Sequence, residues 1–121
     1  MAKLIILPAH FDERGSLTTI EKCLPFDINR VYFINDIKGN SRGGHRHKTC
    51  WQALISVSGS CKVYCNNGLQ KEIFIMDSPQ KCLLLKPEDW HEMLNFNENN
   101  ILLVLASHHY DINDYIYEDY Q

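Results

Sequence analysis

Apolar residues come in short stretches along this chain, and several stretches alternate with polar positions. Trp51, Ala53, Ile55 and Val57 fall on one face of an extended segment, and Ser58-Gly59-Ser60 follows as a hairpin turn. Cys61, Val63 and Cys65 then alternate with Lys62 and Tyr64, before a second turn at Asn66-Asn67-Gly68. Similar punctuation sets off strands at Leu4 to Leu7, Leu17 to Glu21, Arg30 to Asn35, Ile73 to Met76, Cys82 to Leu85 and Trp90 to Phe96. Ile101 to Ala106 is apolar without a break, as in a strand buried on both sides. Asp12 to Ser16 reads as a turn and Lys38 to Gly44 as a loop. Helical periodicity is nearly absent. Only the acidic, tyrosine-rich end, Asp111 to Tyr120, offers a short helix or a tail on the surface. Many short strands with turn residues between them predict an all-β antiparallel sandwich or barrel.

Composition narrows the partners. The 121 residues allow one domain with a real core and show no linker or repeat. A formal net charge of -3 argues against a nucleic-acid surface, which needs a basic stripe. Cations gather only at Arg42, Arg46 and Lys48, a grouping that suits a small anionic ligand. The five cysteines are odd in number and form no C-x-x-C pair. No secretory leader and no apolar run of ~20 residues is evident, so reduced thiols and a cytoplasmic location are expected.

The densest chemistry lies at Arg42-Gly43-Gly44-His45-Arg46-His47-Lys48. On a strand His45 and His47 share one face and Arg46 takes the other. Such a pair can bind a metal, or hold two proton carriers that titrate near ~pH 6.5 when unperturbed. Gln52 and Gly59 follow at set spacings, and Pro87 precedes His91-x-x-x-Asn95. That two-part pattern resembles the signature of the cupin barrel, a double-stranded β-helix. The usual carboxylate ligand is here the neutral Gln52, which supplies no charge to a divalent ion. Its loss favours proton transfer over metal binding. Elsewhere, Arg14 has a fork suited to phosphate and Tyr32 a hydroxyl needing a partner. Trp90 suits the core or a shield for His91, and His108-His109 reads as a polar strand end.

More of the chain carries a closer resemblance. Asp12-x-Arg14-Gly15-Ser16-Leu17, Pro25-Phe26 and Arg30-Val31-Tyr32 come first. Then stand Arg42-Gly-x-His45-x-His47-Lys48, Gln52, Gly59-Ser60-Cys61 and Trp90-His91-Glu92-Met93. Val104 to Ser107, Tyr110-Asp111 and Asp114-Tyr115-Ile116 complete the series. In this order they resemble the sugar-nucleotide 3,4-ketoisomerases, cupins acting on dTDP-4-keto-6-deoxyglucose. Arg46 and Tyr117 depart from that pattern, where a small residue and an Arg are usual.

The resemblance implies one cupin domain over 1–121 and an isomerase that needs no metal or cofactor. It also implies a homodimer with exchanged N-terminal strands, with products destined for 3-amino sugars of bacterial surface polysaccharide such as O-antigen. The site residues expected are His45, His47, Tyr32 and Arg42 for catalysis. Arg14, Lys48, Gln52, Trp90, His91 and Asn95 are expected for substrate. Within the catalytic set, His45 is the base for the C3 proton and His47 helps carry it to C4. Three other readings use the same residues: a 3,5-epimerase, a metal-dependent cupin such as a dioxygenase, and a sugar-binding cupin without activity.

Overall fold

The computed structural model describes residues 1–37 and 41–120. Twelve strands follow in order: β1 Lys3–Ile6, β2 Ala9–Asp12, β3 Gly15–Thr18, β4 Arg30–Ile34, β5 Arg42–His47, β6 Gln52–Ser58, β7 Cys61–Asn66, β8 Lys71–Met76, β9 Lys81–Leu85, β10 Trp90–Leu94, β11 Ile101–Ala106 and β12 Tyr115–Ile116. They make two five-stranded antiparallel sheets, ordered β1-β9-β6-β11-β4 and β12-β5-β10-β7-β8, plus the separate hairpin β2-β3. This is the antiparallel sandwich expected from the strand pattern, in the jelly-roll arrangement that the cupin resemblance implies.

The alternation decides which side chain goes where. Leu54, Leu83, Leu85, Leu102 and Val104 of one sheet meet Val63, Cys65, Met76 and Met93 of the other in the main core. Neighbouring Ala53, Ile55, Cys82 and Leu105 point outward instead, under Ile20, Cys23, Leu24 and Phe26. The strands β6, β9 and β11 are therefore apolar on both faces because both faces are covered. Truncating a fully buried leucine such as Leu54 to alanine costs about 2–5 kcal/mol.

Four segments differ from the sequence reading. The strand placed at Leu17 to Glu21 ends at Thr18 and pairs with an unforeseen partner, Ala9–Asp12. Both carry exposed apolar side chains, Phe11 and Leu17, so no in-out alternation marked them. Val57, read onto the face of Ala53 and Ile55, is 44% exposed, because the cover over that face does not reach it. The loop read at Lys38 to Gly44 falls partly on residues 38–40, outside the described residues; Arg42–Gly44 already belong to β5. The C-terminal segment forms one 3-10 turn, Ile112–Asp114, capped by Asp111, whose side chain accepts from the Asn113 amide. It then adds β12 to the edge of β5, pairing Tyr115 with His47 and Ile116 with Arg46. Arg46 points away from the histidines, bonds the Tyr120 hydroxyl at 3.2 Å and stacks on that ring, which pins the tail down.

Candidate active site

Strand β5 sets the site. His45 and His47 lie on the same face, with ring centroids 5.0 Å apart. His91 of β10 is the register partner of His45 and brings a third imidazole to 4.8 Å from it. The register of β10 against β5 shifts immediately after, between His91 and Glu92. Gly43 stands opposite with φ +88, and a Cβ there would sit 2.9 Å from the His91 carbonyl oxygen. Only glycine fits both the conformation and the space.

Low dielectric surroundings keep these imidazoles uncharged. Burial, then the charge His47 would carry, pushes His45 down to about 4, and the Gly43 carbonyl only partly opposes this. His91 is pushed to about 3, by burial first and by His45 next, although its Nδ1 lies 3.2 Å from the Asp89 carbonyl oxygen. His47 is also lowered by burial, but Asp114 holds it up through a 3.0 Å contact between Oδ2 and Nδ1.

A cavity of about 680 Å³ opens in front of His45. Tyr32, Arg42, Met93, Tyr110, Tyr115 and Tyr117 contribute to its walls. Arg30 also lines it, stacked over Tyr32 at 4.2 Å, with no carboxylate partner among the described residues. The Tyr32 hydroxyl accepts from Gln52 Nε2 at 3.2 Å, and burial raises its pKa, with Tyr115 adding and Arg30 opposing. A hydroxyl and two guanidinium groups thus face the same space as an uncharged base.

Of the residues singled out from sequence, His45, Tyr32 and Arg42 line this cavity. His47 is buried behind it, beside Tyr115, and His91 and Gln52 are buried too. Arg14, Lys48, Trp90 and Asn95 do not line it. Arg14 is fully solvated at the β2-β3 turn and bonds Asp12. Asn95, with φ 54, closes β10 at the surface. Arg30, Tyr110, Tyr115 and Asp114 were not singled out for the site. Arg30-x-Tyr32 on a strand places both side chains on one face, which is the signal that would have found Arg30.

Nitrogens of His45, His47 and His91 lie within 4.8 Å of one another, a spacing that would let them hold a metal ion. In the cupin pattern the carboxylate's place falls to Gln52, a neutral amide that here bonds Tyr32, so the residues present fit a divalent ion poorly.

A jelly roll with imidazoles converging from two adjacent strands beside an open mouth is a cupin-type architecture. The chain belongs to the family described as FdtA: WxcM-like, C-terminal, which it matches over residues 1–121. It is 44% identical over 117 residues to the TDP-4-oxo-6-deoxy-alpha-D-glucose-3,4-oxoisomerase of Aneurinibacillus thermoaerophilus, covering 94% of this chain and 84% of that protein. The TDP-quinovose 3,4-ketoisomerase WlaRB of Campylobacter jejuni superposes with TM-score 0.92 at 42% identity, over 97% of this chain and 92% of that one. A variant of the 3,4-ketoisomerase QdtA of Thermoanaerobacterium thermosaccharolyticum, solved with TDP-4-keto-6-deoxyglucose, gives TM-score 0.92 at 38% identity, over 97% and 87%.

Proposed function

We propose that this protein is a sugar-nucleotide 3,4-ketoisomerase. It converts dTDP-4-keto-6-deoxyglucose to a dTDP-3-keto-6-deoxyhexose through an enediol. The observation that carries this reading is an uncharged His45 on the wall of the 680 Å³ cavity, in a chain 44% identical to a TDP-sugar 3,4-oxoisomerase.

The chemistry follows from the residues. A free nitrogen of His45 takes the proton from C3, and the electron pair passes into the C4 carbonyl to give an enediolate. Tyr32, Arg42 and Arg30 offer donors to the oxygen where charge develops. A proton is then delivered to C4 while the C3 hydroxyl passes its own proton to the C4 oxygen, leaving a ketone at C3 and a hydroxyl at C4. Nothing is oxidised or reduced overall, so the reaction needs no redox partner. A conjugate acid with pKa about 4 returns its proton readily, which suits the second half of the reaction. His47, behind His45, assists that return.

The working assembly is a homodimer with exchanged N-terminal strands. In one chain β1 pairs with its own β9, and the same ladder is available to a partner's β1. What speaks for the dimer is the hairpin β2-β3, which leaves Phe11 72% and Leu17 58% exposed. Exchange would also let Arg14 serve the diphosphate, with Lys48, from another chain. Gln52 and His91, both buried, then support the substrate region from behind. The setting is the cytoplasm of a cell making 3-amino-3,6-dideoxy sugars for surface polysaccharide. Cys61, Cys65 and Cys82 serve as buried core side chains, a use that suits a reducing compartment. Among the described residues no helix is long and apolar enough to cross a membrane.

The test is incubation with dTDP-4-keto-6-deoxyglucose labelled with ¹³C at C4. The reading predicts loss of the C4 carbonyl signal and its replacement by a carbinol carbon. Binding without any change would make the protein a sugar-binding cupin.

A further inference from the structure

We propose that Asp114 is a positioning residue: it fixes the tautomer of His47, leaving Nε2 as a bare acceptor inside the three-imidazole cluster. This deepens the isomerase reading and rests on it.

One contact and one unpartnered nitrogen settle the protons. Asp114 Oδ2 lies 3.0 Å from His47 Nδ1. Burial would raise the Asp114 carboxyl, but hydrogen bonds from Thr49, then His47 and Cys50, outweigh it and hold the group below its usual range. An ionised carboxylate only accepts, so Nδ1 must carry the hydrogen. A neutral imidazole has one N–H, so Nε2 has none. That Nε2 is buried and has no hydrogen-bond partner. An unpartnered buried acceptor costs free energy unless a ligand or a proton uses it.

The carboxylate is itself held rigidly. Oδ1 accepts from the Thr49 amide at 2.9 Å and the Thr49 hydroxyl at 2.7 Å, and Oδ2 accepts from the Cys50 amide at 3.2 Å. Its place in the chain explains how it arrives there. Asp114 ends the 3-10 turn, and the next residue, Tyr115, pairs with His47 in the β12-β5 ladder. The other charged or titratable groups facing the ring are His45 on β5, His91 on β10, Arg30 on β4, Tyr115 on β12 and Cys50. Among the described residues, Asp114 alone gives Nδ1 an acceptor. Without it, the N–H moves between the two nitrogens, and the lone pair needed at Nε2 is present only part of the time.

The experiment reads ¹⁵N chemical shifts of His47 by long-range NMR, without substrate, and kcat and KM with dTDP-4-keto-6-deoxyglucose. Wild type should show Nδ1–H. In Asp114→Asn the amide donates to Nδ1, so the spectrum should switch to Nε2–H. Its kcat should fall about 10²-fold or more while KM stays within about threefold. Thr49→Val removes one bond to Asp114 but leaves the His47 contact, so His47 should keep Nδ1–H and kcat should fall less than in Asp114→Asn. An Nε2–H spectrum in wild type overturns the proposal. So does an Asp114→Asn protein that keeps its turnover, or a Thr49→Val loss as large as that of Asp114→Asn, which would make Asp114 a loop clamp. If Asp114→Asn does not fold, the wild-type spectrum and Thr49→Val decide. Should wild type show Nδ1–H yet fail to turn over the sugar, the isomerase reading fails while the tautomer assignment stands.

Discussion

Acidification should destabilise this protein through its buried imidazoles before its carboxylates respond. His91 is 1% exposed and is held neutral in the fold, pushed to about 3. In the unfolded chain it titrates near ~6.5. Between these values the unfolded state binds a proton that the folded state refuses, so stability is full above ~6.5 and falls with pH. Going from about pH 7.5 to about pH 5.5 withdraws about 1.4 kcal/mol for such a group. His45, pushed to about 4 but partly open to the cavity, adds up to the same again. The expected loss is therefore about 1.5 to 3 kcal/mol. Asp12, Asp77 and Asp114 are held low and change charge only below this window. Asp89 is raised by burial and works in the opposite direction, so the measurement is repeated in Asp89→Asn. Urea titrations followed by the fluorescence of Trp51 and Trp90 give the stability at each pH. His91→Asn should remove about 1.4 kcal/mol of the difference, whatever its own baseline. Equal stability at the two pH values in wild type and in Asp89→Asn would refute the neutral, buried cluster.

Three further outcomes are expected. His45→Asn should lose turnover by about two orders of magnitude or more, with dTDP affinity little changed, because asparagine keeps the polarity but cannot act as a base; His47→Asn should also slow turnover, and near wild-type rates in both would send the search for the base to His91. Exhaustive chelation should leave kcat unchanged, since Gln52 brings no charge to a metal site; loss restored by one divalent ion would contradict this. Light scattering at working concentration should give a dimer, and Phe11→Ser should shift it toward monomer; a wild-type monomer would refute the exchanged assembly.

How much of this was legible beforehand depended on where burial wrote a pattern. β6, β7 and β11 sit between or beneath covered faces, and their alternation or unbroken apolarity marked them. The β2-β3 hairpin has Phe11 and Leu17 in solvent within one chain, so periodicity gave no sign of it. His45, His47 and His91 were legible because two share a strand face and the third returns behind a proline. Asp114 and Tyr115 were not. Their place at the site comes from the pairing of β12 with β5, nearly seventy residues apart, and local sequence carries no trace of such a ladder. Arg30 was overlooked because a cation at the start of a strand usually faces solvent, whereas here Tyr32 and Tyr110 flank it.

Everything proposed for the site depends on a ketone moving from C4 to C3 through an enediol. NMR of dTDP-4-keto-6-deoxyglucose incubated with the protein in deuterated water tests it most directly. The enediol route gives a product with its ketone at C3 and a newly bonded hydrogen at C4, which is deuterium to the extent that the proton on His45 exchanges with solvent before its return. A ketone that stays at C4 while deuterium enters C5 would contradict it and make the protein an epimerase.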